Sequence, residues 1–180
     1  MIVLGVLADT HIPDRARSLD PRVGEIFRES GVQAILHAGD VSVPIVLEEL
    51  SKIAPVTAVQ GNRDLYRLGK LPVKCLLEFE GVQIGLTHGH GCLEEYLLDK
   101  IQYILSGIDE ERYIRRVFGV FPAAKVIVFG HTHLRLNAWM EGKLLFNPGS
   151  ACCAPGNPMK PSLGLLRVHQ GRASGELVEF

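Results

Sequence analysis

Charge of either sign is not in excess in this chain: 19 lysines and arginines stand against 20 aspartates and glutamates, a formal net charge of -1. That balance gives no electrostatic reason for nucleic acid or a charged membrane to be an obligatory partner. Long hydrophobic runs are missing too. The apolar stretch at the start, Met1 to Ala8, falls far short of the roughly 20 residues that span a bilayer, and no basic segment precedes it as a signal peptide requires. The expected location is therefore the cytoplasm. Cysteine is scarce. Cys75, Cys92, Cys152 and Cys153 form no Cys-x-x-Cys pair and lack the spacing of a disulfide framework, so they read as reduced thiols. Repeats, low-complexity tracts and linkers are absent as well. With 180 residues and 47% hydrophobic content, the chain is expected to fold as one domain over residues 1–180 with a sizeable core.

What is present is an alternation of short β-branched runs with helical segments. In the first half this is the pattern of β-α-β units and a largely parallel sheet. Strands are expected over Met1–Ala8, Ala34–Ala38 and Val56–Val59. Asp20-Pro21 reads as an N-cap followed by proline at the first helical position, and Ser42 as the cap of a second helix carrying Ile45, Val46, Leu47 and Leu50. From Cys75 onward the pattern is more antiparallel, with Leu76–Phe79 and Val82–Thr87 joined by the turn Glu80-Gly81. Leu93–Leu105 carries an apolar stripe of Leu97, Leu98, Ile101, Ile104 and Leu105, and Glu110–Val117 is a further helix. Strands follow at Lys125–Phe129, Leu134–Met140 and Leu144–Phe146, and Ser162–Val168 with Glu176–Phe180 closes the chain as a hairpin. The expected fold class is α/β: a two-sheet α/β sandwich with helices on the outer faces.

The residues just past the strands share one chemical character. They are Asp9-Thr10-His11, Gly39-Asp40, Gly61-Asn62-Arg63-Asp64, Thr87-His88-Gly89-His90, Gly130-His131-Thr132-His133 and Asn147-Pro148-Gly149-Ser150. In open α/β sheets ligands bind outside the carboxyl ends of strands, so these turns are expected to converge on one rim. Imidazole nitrogen combined with Asp and Asn oxygen suits borderline divalent ions such as Mn, Fe, Co, Ni or Zn rather than hard Ca or Mg. No cysteine belongs to these clusters, which argues against a structural zinc site closed by thiolates. The donors outnumber what one ion takes. Two ions about 3.5 to 4 Å apart, sharing a carboxylate, form the usual arrangement for in-line phosphoryl displacement.

The ordered set Asp-x-His, Gly-Asp, Gly-Asn, Gly-His and Gly-His-x-His, running from Asp9 to Ser150, resembles the calcineurin-like metallophosphoesterase superfamily. Asn62-Arg63-Asp64, Thr87-His88-Gly89-His90 and Asn147-Pro148-Gly149-Ser150 resemble its small bacterial and archaeal phosphodiesterase branch, to which a retromer subunit of the same fold is related. The resemblance implies a metallo-dependent phosphatase fold and two divalent ions per chain, Mn foremost, with Ni, Fe, Co or Zn as options. It puts one ion on Asp9, His11, Asp40 and His133 and the other on Asp40, Asn62, His88 and His131, with Asp40 bridging. It further implies a phosphodiesterase that uses a bridging hydroxide as nucleophile on a small phosphate-ester substrate. Alternatives in the same superfamily are a phosphomonoesterase and a nucleotide hydrolase, and a non-catalytic scaffold is the alternative from another class. A homo-oligomer is compatible with all of these.

One departure from the larger superfamily stands out. Many of its phosphatases carry a histidine directly after the asparagine ligand, where it protonates the leaving group; here that position is Arg63. His90 and Arg63 are thus the candidate catalytic residues, His90 as proton donor or phosphate contact and Arg63 as a guanidinium for phosphate, although Arg63 and Asp64 also read as a simple surface ion pair. His37, inside a strand, reads as a buried histidine behind the ligands, and His169 as an exposed turn residue. Cys92 has two readings, one facing the pocket and one at a helix N-terminus. Specificity is expected to lie in the loops Leu65–Leu71, Gly91–Glu95 and Cys152–Pro161.

Overall fold

Strict alternation along the buried strands sets the layer order. In β1 (Ile2–Leu7) the side chains of Val3 and Leu7 face one way, and those of Leu4 and Val6, with Ala8 beyond the strand, face the other, into a second sheet. The computed structural model describes residues 1–65, 68, 70–152 and 159–180. Cys153 and parts of the loops 65–71 and 152–161 therefore lie outside the described residues.

The first sheet has the order β10-β9-β1-β2-β3. The helices α1 (Pro21–Glu29) and α2 (Pro44–Ser51) make the crossovers between the parallel strands β1, β2 (Ala34–His37) and β3 (Val56–Ala58). Asp20 caps α1, accepting from the Arg22 amide at 2.9 Å, and Pro21 opens the helix. The cap expected at Ser42 is not there. Pro44 fixes the first helical position, so Val43 becomes the N-cap and makes no side-chain cap bond, while the Ser42 hydroxyl has no partner among the described residues. Val23, Phe27, Val46 and Leu50 cover the outer face of this sheet.

The second sheet has the order β4-β5-β6-β8-β7. Its edge strands β4 (Lys74–Phe79) and β7 (Arg135–Met140) run antiparallel to their neighbours, as the expected hairpins require. Its centre is parallel, β5 (Val82–Thr87) beside β6 (Val126–Val128) beside β8 (Lys143–Pro148). Parallel pairing of β5 and β6 demands a long crossover, and α3 (Leu93–Ser106) and α4 (Glu110–Val120) supply it. Two-residue turns join the hairpins: Glu80-Gly81, Glu141-Gly142 and Gln170-Gly171 each hold both residues at positive φ, the geometry of type I′ turns that match strand twist.

β9 (Ser162–His169) and β10 (Arg172–Glu179) return antiparallel to the first sheet. β10 is longer than its hydrophobic pattern suggests because Ser174 and Gly175 are paired in it. The reason is packing. The Phe146 ring of β8 lies against Gly164 and Gly175, where an added Cβ would sit 2.3 and 2.5 Å from ring carbons. Glycine is required there so that the two sheets can approach.

α4 packs Val117 and Phe121 on Ile127, Phe129 and Leu145, covering the outer face of the second sheet. α3 behaves differently. The helix forms, but its apolar stripe does not find a core: Leu97, Leu98, Ile101, Ile104 and Leu105 are exposed, Ile104 to 80% and Leu105 to 76%. Among the described residues no helix is long and apolar enough to cross a membrane.

Phe146→Ala is expected to cost about 3–5 kcal/mol by opening a cavity between the sheets, and Gly164→Val about 1–3 kcal/mol by overpacking the same spot. Denaturant unfolding midpoints of the two variants check this.

Candidate metal centre

Six parallel strands, three in each sheet, end on one rim, and the polar turns that follow them meet there. Backbone bonds stitch the turns together. Asp9 N donates to Gly39 O at 3.0 Å, His11 N to Asp40 O at 3.1 Å, and Gly130 N to His88 O at 3.2 Å. Between the sheets, His131 N donates to Asp9 Oδ2 at 3.0 Å and Ser150 Oγ to Asp9 O at 2.9 Å.

All seven side chains expected as ligands are brought together. His11 Nε2 and His133 Nε2 lie 3.2 Å apart. Asp9 Oδ1 is 3.3 Å from the His133 nitrogen and 3.7 Å from that of His11. On the other side His88 Nε2 is 3.1 Å from Asn62 Oδ1, 3.3 Å from His131 Nδ1 and 3.5 Å from Asp40 Oδ1. Two sets of three have ligand atoms all within 4.8 Å of one another, Asp9 with His11 and His133, and Asp9 with Asp40 and His88. Asp9 thus has a share in both sets, while Asp40 Oδ2 also lies 3.8 Å from His11 Nδ1.

The donor set fits cations. Asp9 Oδ1 is buried with no hydrogen-bond partner among the described residues, an expensive condition that an ion bound between it and the His11 and His133 Nε2 atoms would relieve; His11 Nδ1, facing Asp40, is unpartnered too. The His88 ring is oriented to coordinate. Its Nδ1 lies 2.7 Å from the Ala38 carbonyl, which can only accept, so that nitrogen carries the hydrogen and, in the neutral ring, Nε2 keeps a lone pair toward Asn62 and Asp40.

Electrostatics point the same way. Burial keeps His11 and His131 unprotonated, each lowered to about 3. Burial and the neighbouring Asp9 push the Asp40 carboxyl up, despite the opposing pull of His88. For Asp9 burial also pushes upward, but the adjacent imidazoles of His133, His88 and His11 outweigh it and hold the carboxyl well below the usual range. Desolvation opposes protonation of His88, yet Asp40 and Asp9 outweigh it and raise that imidazole above its ordinary value. Two buried carboxylates a few ångströms apart want positive charge.

The backbone is bent to make this cluster. Asp9, His11, Asp40, His131 and His133 all have positive φ, between 48° and 71°, a region that side-chain-bearing residues rarely adopt. Gly61 admits Asp40 by having no side chain: a Cβ there would lie 2.2 Å from the Asp40 amide nitrogen and from Oδ1.

Three supporting residues have no role that the sequence alone assigns. Asp64 is fully buried and accepts from Ser42 N at 2.7 Å and Gly61 N at 2.8 Å, joining the Asp40 turn to the Asn62 turn. It is not a partner of Arg63, whose guanidinium instead reaches Asp14 at 3.3 Å. Asn147 donates to Gly130 O at 3.0 Å and to Thr132 Oγ1 at 3.1 Å, bracing the turn that carries His131 and His133. Ser150 does the same for Asp9. For Asp64, a polar side chain two residues past a ligand is the signal that could have found it.

The remaining candidates divide. Arg63 lines the cavity beside Asp40 and Asn62, and its amide donates to Asp40 Oδ1 at 2.9 Å. His90 stands next to His88 and His131, with ring centroids 5.4 and 6.2 Å away, but it is not among the described residues lining the cavity. Its Nδ1 is buried without a partner among the described residues, and burial lowers its pKa to about 4. His37 is buried and hydrogen-bonded, accepting from Gly39 N and lying 3.3 Å from Thr10 Oγ1, so it serves the turns rather than an ion. His169 is exposed at the end of β9, 3.7 Å from Glu80. Cys92 is exposed as the N-cap of α3, where its amide donates to Glu95 Oε2 at 2.8 Å.

Above the cluster opens a cavity of about 650 Å³. Its far wall comes from α3 and α4, which supply Tyr96, Tyr103 and Tyr113. Arg116 of α4 fastens that wall to the ligand turn: it donates to Asp99 of α3 at 2.8 and 3.1 Å and to Gly89 O at 3.0 Å.

Known proteins are similar to this chain. A probable metallophosphoesterase of Methanothermobacter thermautotrophicus is 36% identical over 98% of this chain and 92% of its own length. A phosphodiesterase of Methanocaldococcus jannaschii is 25% identical over 83% of this chain and 84% of its own. Among solved structures, Vps29 of Chaetomium thermophilum superposes with a TM-score of 0.75 at 18% identity, covering 99% of this chain and 95% of that one. The model of the calcineurin-like phosphoesterase superfamily domain matches residues 2–171, so the chain belongs to that superfamily.

Proposed function

We propose that this protein is a phosphodiesterase that works with two divalent cations held by Asp9, His11, Asp40, Asn62, His88, His131 and His133, with hydroxide derived from water as the attacking group. The observation that carries the reading is the convergence of two ligand sets on two buried carboxylates, with Asp9 Oδ1 and His11 Nδ1 left unpartnered among the described residues. When bound, such ions neutralise ester oxygens and make water a competent nucleophile at neutral pH.

The chain's own groups do the rest. Asp64, Asn147 and Ser150 hold the ligand turns, so the donors are organised before any ion arrives. Arg63 and Arg15 line the cavity as cations for the phosphate, and Arg63 has the planar fork that suits it. His90, two residues beyond His88, stands behind the cavity lining and is unprotonated by burial, so a role in proton transfer to the leaving oxygen requires the substrate to reach past the lining residues. Of the proposed ions Mn is the first choice by resemblance to the superfamily, while the imidazole donors by themselves suit Fe, Ni or Zn.

A scaffold reading has one observation in its favour, the uncovered apolar stripe of α3. Against it stands the complete ligand set, which a scaffold has no need to keep. Metal-loaded protein that turns over no phosphate ester would decide for the scaffold.

Chelator-stripped protein is expected to be inactive and to regain activity with Mn or Ni more than with Mg. Full turnover in excess chelator, with metal analysis showing no bound ion, would overturn the proposal.

Asp40→Asn is expected to impair turnover more than Asn62→Ala or His11→Ala, and Asp9→Asn to rank with it, because these carboxylates reach both ligand sets. Gly61→Ala should behave like a ligand variant, since its new methyl group displaces Asp40. Metal stoichiometry and kcat measured on the same preparations check the ranking.

With arginine in the position after Asn62, leaving-group acidity should matter strongly. Positioned acid catalysis is typically worth about 10²- to 10⁴-fold, and nitrophenyl diesters are expected to be hydrolysed faster than alkyl diesters by a factor in that range. His90→Ala should slow alkyl diesters far more than nitrophenyl diesters; an equal loss on both would make His90 a binding residue.

A further inference from the structure

The cavity is much larger than a phosphate group needs. At about 650 Å³ it falls in the range that encloses a whole small organic molecule. Its lining differs in chemistry. The ligand cluster with Arg15 and Arg63 is polar; beside it the α3–α4 segment adds Asp99 and Lys100 together with the apolar and aromatic surface of Tyr96, Tyr103, Ile108 and Tyr113.

The tyrosines of that wall are not equivalent. Tyr113 leans on His131 with ring centroids 5.5 Å apart and has the Arg116 guanidinium 5.2 Å from its ring, so its surroundings already employ it. Tyr96 also approaches His131, at 6.1 Å, and carries the Lys100 ammonium 4.7 Å from its ring. Tyr103, two helical turns beyond Tyr96 on the same face of α3, is 63% exposed, and Ile108 beyond the helix end is 40% exposed. Large apolar side chains that line a cavity and stay uncovered by the protein's own core are the surface a ligand covers.

The wall is also held in place. Asp99 and Arg116 are almost fully buried as a two-pronged ion pair, and Arg116 reaches the carbonyl of Gly89 between His88 and His90. The clasp fixes the α3 backbone one helical turn before Tyr103 relative to the turn of His88 and His90.

We propose that the ester accepted by this site carries a planar aromatic ring, stacked on Tyr103 and flanked by Ile108, as in an aryl or nucleoside phosphodiester. The inference rests on the phosphodiesterase reading for the ester, and on the cavity wall for the ring. Rings suit such a wall because every aromatic group offers a face, and stacking on a protein aromatic discriminates flat rings from puckered ones of equal size.

The test separates the two readings by using binding rather than turnover for the ring. Calorimetric titration of the Mn-loaded full chain is made with three phosphonates that share one charged head: methyl, cyclohexylmethyl and benzyl. Benzylphosphonate is expected to bind about tenfold more tightly than either of the others, as one stacked ring allows. Tyr103→Ala should bring the benzyl to cyclohexylmethyl ratio to about one, and Tyr103→Phe should preserve it, because the ring face and not the hydroxyl is used. Ile108→Ala serves as a second probe and should lower the same ratio in part. Equal affinities of the three phosphonates in the unmodified protein would overturn the inference, as would a ratio unmoved by Tyr103→Ala. Hydrolysis of bis-nitrophenyl phosphate by the same preparation tests the phosphodiesterase reading separately: activity with equal phosphonate affinities removes only the aromatic ring, and inactivity with a benzyl preference removes only the reaction.

Discussion

Asp9 and Asp40 lie buried together where the two sheets meet, and much of the structure follows from that juxtaposition. Two carboxylates this close, out of water, repel each other and lack the solvation that normally tolerates their charge. The protein answers with imidazoles rather than with lysine or arginine at the centre. Imidazoles offset part of that charge, as the raised His88 and the depressed Asp9 show, and can still give their lone pairs to a cation. The rim turns, the unsubstituted position at Gly61 and the bracing by Asp64, Asn147 and Ser150 all keep an arrangement that electrostatics alone would push apart.

Two parts of different character surround this centre. The sheets with α1, α2 and α4 form packed layers, their strands alternating between the inter-sheet core and the helices outside. Among the described residues α3 has no apolar side chain in these cores, and polar pairs tie it to the rest, Asp99 and Glu95 with Arg116, which also reaches the Gly89 carbonyl. A chemistry-bearing base that is rigid and a wall attached through few contacts is a division seen wherever one reaction is adapted to many substrates. On the proposed reading, the base decides what kind of bond is attacked. The wall has the means to decide which molecule brings it.

Much of this was legible in the residues alone. The strands showed because alternating apolar runs have a period that helices cannot share, and the seven side chains that the fold brings together showed because each follows a strand end. What stayed hidden were relations between distant residues. The role of Asp64 was masked by its neighbour Arg63, since adjacency in sequence suggests an ion pair, whereas the fold turns one inward and the other out. The true extent of β10 was obscured by Ser174 and Gly175, which look like a turn and are in fact the floor on which Phe146 rests. Ser42 has the residue type of a cap, and Pro44 moved the helix start by one. For α3 the periodicity correctly gave a helix, but a period says only that one face is apolar, not that anything covers it.

The left-handed backbone at Asp9, His11, Asp40, His131 and His133 carries an energetic implication. Each such residue bears a conformational penalty of about 1–3 kcal/mol that glycine would avoid. If the proposed ions were not needed, replacing any of these side chains by glycine would be expected to raise stability. On the metal-binding reading, backbone comfort and chemistry are opposed at these five positions: glycine would ease each turn and remove a donor from the site.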